Sequence, residues 1–189
     1  MVKTAPESLV SSAAGLLDRG GADAVTLRGL GLAAGVSRSA PYHHFATKTE
    51  LLAAIATREL DGLADAFLSI DAQGAPAARA MMLIYLRWAL QYPERFRLTF
   101  GRWEDDDARL GVAAARVRTV FLTAVAQAQS RGELPAGDPV RLGTLMLSAM
   151  HGAADLAAAG HLSPIRTGRV DVEDLVSDLF RHLKAAARP

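Results

Sequence analysis

The chain has 189 residues, half of them hydrophobic, with a formal net charge of +1 and no cysteine. That length allows one large domain, or a small one plus a medium one, with a real core. Without cysteine there are no disulfides and no thiol chemistry; no 18 apolar residues run uninterrupted and MVKTAPES lacks an apolar signal region, so a cytoplasmic protein with no membrane span is expected.

Alanine supplies much of the apolar half, aromatics are only 6%, and no strand-like alternation persists. The expected fold is therefore all-α. The first helix is predicted from about Ala5 to Arg19, with Thr4 and Glu7 as a capping box and Pro6 in the tolerant first turn. Leu9, Val10, Ala13, Leu16 and Leu17 form its apolar stripe, and Gly20-Gly21 ends it. Thr26 is the next N-cap, opening a helix from Leu27 to about Ala34 that Gly35 stops. Ser37 is predicted to cap a third helix of about two turns. Thr47 and Glu50 form a second capping box that opens a long fourth helix to about Ile70.

Beyond Gly74, helices are predicted over about 76–92, 93–102, 107–131, 139–159 and 172–187. Pro93 forces a break after Tyr92. Asp138 caps a helix with Pro139 at its first position, and Asp171 caps the last helix. Residues 104–107, Glu-Asp-Asp-Asp, read as a solvated loop and helix N-terminus. The predicted division is a helix-turn-helix domain over 1–50 and a helical bundle over 51–189, with the long fourth helix transmitting movement between them.

The weak net charge hides a local signal. Residues 24 to 49 contain Arg28, Arg38 and Lys48 and no acid, a local charge of +3. A helix-turn-helix needs a tight turn, small residues at the helix crossing and apolar residues facing the first helix. Leu27, Leu30 and Val36 are the expected inward set, Gly31 and Ala34 the crossing, and Gly35 the left-handed turn. Arg38, Ser39, Ala40, Tyr42 and His43 are then presented outward, and Phe45 folds back as an anchor. The adjacent His43 and His44 point about 100° apart on a helix and cannot easily share a metal ion.

The string Thr26-Leu27-Arg28, Ala34-Gly35-Val36-Ser37, Tyr42-His43-His44-Phe45, Lys48-Thr49-Glu50-Leu51-Leu52 resembles the TetR family of bacterial transcriptional regulators. The resemblance covers about the first 55 residues and implies an all-helical homodimer, a recognition helix in the major groove of double-stranded DNA, and a ligand cavity in the C-terminal bundle. Carried over by position, Thr26 and Ser37 are helix N-termini suited to phosphate oxygens, and Arg28 and Lys48 add charge against the backbone. Arg38, Ser39 and Ala40 face base edges, Arg38 suiting guanine O6/N7 and Ala40 a thymine methyl. Tyr42 and His44 are phosphate contacts, and His43 suits either role. Three residues depart from the pattern. Gly29 and Gly31 each weaken a short helix by roughly 1 kcal/mol relative to Ala, and family members usually carry Ala at the second position. Pro41 replaces a larger apolar residue and deletes the first intrahelical hydrogen bond, which predicts a mobile or distorted recognition helix in the absence of DNA.

In the bundle, Arg95-Phe96-Arg97-Leu98-Thr99-Phe100-Gly101 and Met150-His151-Gly152 resemble a TetR subgroup with a C-terminal Trp-His-Gly motif, Met150 standing for the Trp. Trp88, Tyr92, Phe96, Phe100, Trp103, Phe121, Met146, Met150 and His151 are the candidate ligand-binding residues, against the alternative that most are ordinary core. His151 and Asp155 have the spacing of a local hydrogen bond, which would orient the ring toward a ligand or satisfy a buried His. The last two long helices are expected to form the dimer through Leu142, Leu145, Met146, Ala149, Ala153 and Leu156, and through Val172, Leu175, Val176, Leu179, Phe180 and Leu183.

These readings converge on a non-enzymatic, ligand-responsive transcriptional repressor that binds a near-palindromic operator as a homodimer and is released by a small apolar ligand, with no cofactor, no metal and no membrane partner. The alternatives are a helical ligand-binding or scaffolding protein that has lost DNA binding, and a metal-dependent helical enzyme using His151 and carboxylates. Against the last, no Glu-x-x-His or His-x-x-x-His set appears.

Overall fold

The computed structural model describes residues 5–103, 107–162 and 171–187. Among these every regular element is helical: α1 Ala5–Ala24, α2 Leu27–Ala33, a 3-10 helix Ala40–His43, α3 Lys48–Leu68, α4 Ala75–Gln91, α5 Pro93–Thr99, α6 Ala108–Ser130, α7 Pro139–Ala158 and α8 Val172–Ala186. The expected breaks are visible in the backbone. Gly20 and Gly21 leave helical geometry inside α1, Gly21 at φ +66°, so the regular part of α1 ends where the glycine pair begins. The Thr4 cap lies outside the described residues.

The caps form as the sequence predicts. Asp138 Oδ1 accepts from Val140 N at 2.8 Å with Pro139 at the first helical position. Asp171 Oδ1 accepts from Glu173 N at 3.0 Å. Asp107, the described part of the acidic run, caps α6 by accepting from the backbone N–H of Arg109 and Leu110. Of the described helices, α6 alone is long and apolar enough to cross a membrane, with a mean hydropathy of 1.2 over its most apolar stretch. Its Phe121, Ala124, Val125 and Ala128 are buried in the protein, and its Arg116 pairs with Asp65 at 2.6 Å.

The chain divides into two compact units, one from Met1–Asp61 and Tyr92–Ala114, the other from Gly62–Gln91 and Ala115–Pro189. The first is built on a core of Leu9, Val10, Ala13, Leu17, Leu30, Phe45, Leu51 and Ile55. Beside that core lies a charge network absent from any local sequence pattern. Arg95 of α5 donates from Nη2 and Nε to the Asp18 carboxylate of α1 at 2.5 and 2.9 Å, and from Nη1 to Glu59 Oε1 of α3 at 3.3 Å. Arg58 also donates to Glu59 Oε1 at 2.6 Å, and the Arg95 guanidinium lies 4.1 Å from the Tyr92 ring centroid. Burial alone would depress the Arg95 pKa, but its hydrogen bond to Asp18 and the charges of Glu59 and Asp18 more than reverse this and hold it above the ordinary value.

In the second unit, α4, α7 and α8 pack on one another. Met146 and Met150 of α7, Val176 and Phe180 of α8, and Met81, Met82 and Leu86 of α4 are buried. Polar contacts flank this packing. Glu133 accepts from Ala75 N at 2.8 Å at the start of α4, and Arg87 donates to Glu173 at 2.7 Å. The Arg87 hydrogen bond holds the Glu173 carboxyl below the usual carboxylate range. A depressed folded pKa contributes stability above the unfolded value that is lost as pH falls through the folded one. Glu173→Gln should therefore be slightly less stable than the parent at pH 7, and the difference should vanish as pH drops below 4.5. Urea midpoints of the two proteins across that window measure it.

Candidate nucleic-acid interface

The interface is assembled from three short devices. At the first, Thr26 caps α2: its Oγ1 accepts from Gly29 N at 3.0 Å, which leaves its own O–H free to donate. Leu27 and Leu30 are buried and Arg28 is exposed. At the second, Gly35 turns the chain at φ +67°. Gly31 is buried at the crossing, where a Cβ would lie 2.9 Å from the Ser37 carbonyl oxygen and 3.1 Å from Arg38 Cα. Close approach there is the physical reason for a residue without a side chain. Val36, expected inward, is 44% exposed, because the chain leaves Gly35 with that side chain turned away from the core.

The expected two-turn third helix is not formed. Residues 40–43 make a single 3-10 turn, with Ala40 N bonded to Ser37 O at 3.1 Å, Tyr42 N to Ser39 O at 3.1 Å and His44 N to Pro41 O at 3.1 Å. Pro41 has no N–H to give Ser37 O the α-type bond, and its ring would clash with that carbonyl, so the segment tightens to three-residue spacing. The Pro41 ring is fully buried and Phe45 is buried in the core as the expected anchor. Ser37 Oγ accepts from Ala40 N at 3.2 Å and lies 3.1 Å from Ser39 Oγ. Arg38, Ser39, Tyr42, His43 and His44 are exposed, while Ala40 is half-buried.

The third device is the start of α3. Thr47 Oγ1 accepts from Glu50 N at 3.1 Å. The reciprocal bond of the predicted capping box is shifted by one residue: Glu50 Oε2 accepts from Ala46 N at 2.8 Å rather than from Thr47. Lys48, half-buried, faces only the fully exposed Asp23, with Nζ 3.9 Å from Oδ1. A solvated pair of that length is worth at most about 1 kcal/mol and yields readily to a phosphate.

The candidate ligand residues fall into both units. Tyr92, Phe96, Phe100 and Trp103 belong to the first, where the Phe96 and Phe100 rings lie 5.5 Å apart. Trp88, Phe121, Met146, Met150 and His151 belong to the second. Here the partner of His151 is one that spacing did not reveal. Tyr85, 66 residues earlier in the chain, places its hydroxyl 2.8 Å from Nδ1. With the proton on Nε2, Nδ1 accepts from the phenol. The separation from Asp155, 3.7 Å between Nε2 and Oδ2, is too long for the expected hydrogen bond. Burial, and secondarily the Asp155 charge, pushes the Tyr85 phenol pKa upward, so it stays a protonated donor. Trp88 packs obliquely on Tyr85 with centroids 6.2 Å apart.

Helix-turn-helix geometry followed by a helical second unit defines a class of DNA-binding regulators, and the comparisons with known proteins specify it. Residues 9–55 match the model for bacterial regulatory proteins of the tetR family, and residues 78–183 match a tetracyclin repressor-like C-terminal domain. The chain belongs to the TetR family of transcriptional regulators. A protein of unknown function from Rhodococcus sp. RHA1 superposes with a TM-score of 0.82 at 25% identity, over 97% of each chain. The TetR regulator PfmR from Thermus thermophilus gives 0.65 at 18% identity, over 96% of this chain and 99% of its own. AibR, in complex with isovaleryl coenzyme A and operator DNA, gives 0.68 at 18% identity, over 95% and 97%. No curated protein matches the chain.

Proposed function

We propose that the chain is a homodimeric transcriptional repressor that binds a near-palindromic operator in the cytoplasm and is released by a small apolar ligand. The observation that carries the DNA-binding part is the exposed, acid-free surface of residues 24–49. Among the described residues Arg28 and Arg38 have no acidic partner, and Lys48 has only a solvated one. Thr26 and Ser37 offer hydroxyls to phosphates, Arg28 and Lys48 offer charge, and Tyr42 and His44 add backbone contacts. Arg38, Ser39, Ala40 and His43 reach base edges.

For the homodimer, support comes from α7, where Leu145 is 63% and Leu156 47% exposed while Met146 and Ala153 are buried. A face of leucines left outside its own core suits an isologous partner. Two copies then present their reading segments about 34 Å apart, one helical turn of DNA. AibR, whose complex holds both an acyl-coenzyme A and operator DNA, supports a ligand-responsive reading. The ligand acts by differential affinity for two states of the second unit, with α3, which runs through the boundary of both units, carrying the change.

The test is a salt-titrated binding assay on selected operator DNA. Lys48→Ala should weaken binding to all sequences alike and flatten the slope of log affinity against log salt by about 1. Arg38→Ala should instead relax preference at one base pair, at a cost of about 1–3 kcal/mol for the preferred base. An unchanged salt slope in Lys48→Ala would remove its phosphate role. The single 3-10 turn at Pro41 favours the second reading, a ligand-binding protein that has lost DNA binding. Absence of measurable DNA binding by the parent protein, even at low salt, would select it.

A further inference from the structure

The acid-free stretch of residues 24–49 is bordered by one acid on each side, Asp23 and Glu50. The Glu50 carboxylate is committed to capping, since it accepts from Ala46 N at 2.8 Å. Asp23 caps nothing among the described residues. Its side chain is fully exposed, and its one ionic partner among those residues is Lys48, with 3.9 Å between Oδ1 and Nζ. We propose that Asp23 is an electrostatic brake on DNA binding: it competes with a DNA phosphate for the Lys48 ammonium and repels that phosphate. The brake rests on the phosphate role of Lys48 given above.

Both residues stand on anchored backbone. Gly21 turns the chain at φ +66°, and Val25 N closes a turn on Ala22 O at 3.2 Å with Asp23 inside it. Val25 is fully buried and Thr26 caps α2, so Asp23 is fixed immediately before the interface. Lys48 opens α3 directly after the Thr47 cap, and Leu51, one turn on, is fully buried. The two exposed side chains therefore stay within reach of each other. A phosphate oxygen on a charged amine lies about 2.8 Å from it. With Asp23 3.9 Å from Lys48 Nζ, that oxygen lies within about 7 Å of the Asp23 carboxylate. This is inside the Debye length of about 8 Å at physiological ionic strength. Two like unit charges about 7 Å apart weaken binding about threefold at the dielectric of bulk water. Phosphates carry no sequence information, so the brake acts on all DNA alike. It sets absolute affinity and its salt dependence and leaves base preference unchanged.

The test is fluorescence anisotropy of the full-length protein on a selected operator duplex and on a mixed-sequence duplex of equal length. At low salt Asp23→Asn should tighten both about threefold, and the gain should vanish as salt rises. Asp23→Lys should tighten both further. In a Lys48→Ala background Asp23→Asn should gain little. Asp71→Asn removes one exposed negative charge that has no contact with Lys48 and should gain less than Asp23→Asn. Unchanged affinity in Asp23→Asn would overturn the brake. Weaker binding would overturn it too, and would make Asp23 a positioning residue that holds Lys48 ready for DNA. Equal gains in the parent and Lys48→Ala backgrounds would overturn the competition for Lys48 and leave a general charge effect. These results require a parent protein that binds DNA. A parent that binds neither duplex at low salt would overturn the DNA-binding reading, and the brake with it.

Discussion

Arg95→Ala is expected to destabilise the protein by about 2–3 kcal/mol, a large share of the stability of an ordinary domain. The Arg95 side chain is 17% exposed and Glu59 8% exposed. Loss of one partner of a fully buried pair costs about 3–5 kcal/mol, and of an exposed pair at most about 1 kcal/mol. This network lies between those limits. Glu59 keeps Arg58 as a counter-ion at 2.6 Å, which softens the loss, and Asp18 can recover water. Nothing replaces the fork that joins α5 to α1 and α3 together, nor the guanidinium over Tyr92. Lys at this position retains the charge but cannot bind Asp18 in two places while reaching Glu59, so Arg95→Lys should recover only part of the loss. Equilibrium urea unfolding measures both variants. A loss for Arg95→Ala below about 0.5 kcal/mol would place the whole network at surface value.

What the sequence reveals and conceals follows from the range of the interactions. Thr26, Gly35, Thr47, Pro93, Asp138 and Asp171 act within a few residues, through one cap, one turn or one missing N–H, and the helix ends they predict are observed within a residue or two. The TetR-like register likewise depends on short spacings and matches the family model over residues 9–55. The Arg95–Asp18 and Tyr85–His151 pairs span 77 and 66 residues, and no local spacing announces them. Apolar stripes are ambiguous for another reason. Leu145 and Met146 are adjacent and both apolar, yet one is 63% and the other 1% exposed, because adjacent helical positions face about 100° apart. Composition does not say which of two apolar faces meets the protein's own core. Pro41 predicts the loss of one hydrogen bond, but a short segment with one α-type bond removed has too few left to hold α geometry, and it closes as a 3-10 turn.

The same crowding makes Gly31 the most sensitive position of the candidate interface. Gly31→Ala gains roughly 1 kcal/mol of helix propensity. It also places a Cβ 2.9 Å from the Ser37 carbonyl oxygen and 3.1 Å from Arg38 Cα, both backbone atoms that no side-chain rotation can clear. The two effects are opposed and of similar size, so the stability of Gly31→Ala should stay within about 1 kcal/mol of the parent. Relief of the contact, however, must displace Ser37 and Arg38, the residues that open the reading segment. Gly31→Val adds two methyl groups to the same crossing and should destabilise by about 2–3 kcal/mol through overpacking. Specific operator affinity should therefore fall in the order parent, Ala, Val, and should fall already in the Ala variant, whose stability is nearly unchanged. Non-specific affinity at low salt, set by charge alone, should change little in Gly31→Ala. Parallel loss of stability and specific affinity across the series would instead make the glycine a folding residue only. Unchanged specific affinity in Gly31→Ala would show that the Ser37–Arg38 backbone tolerates displacement without loss of register on DNA.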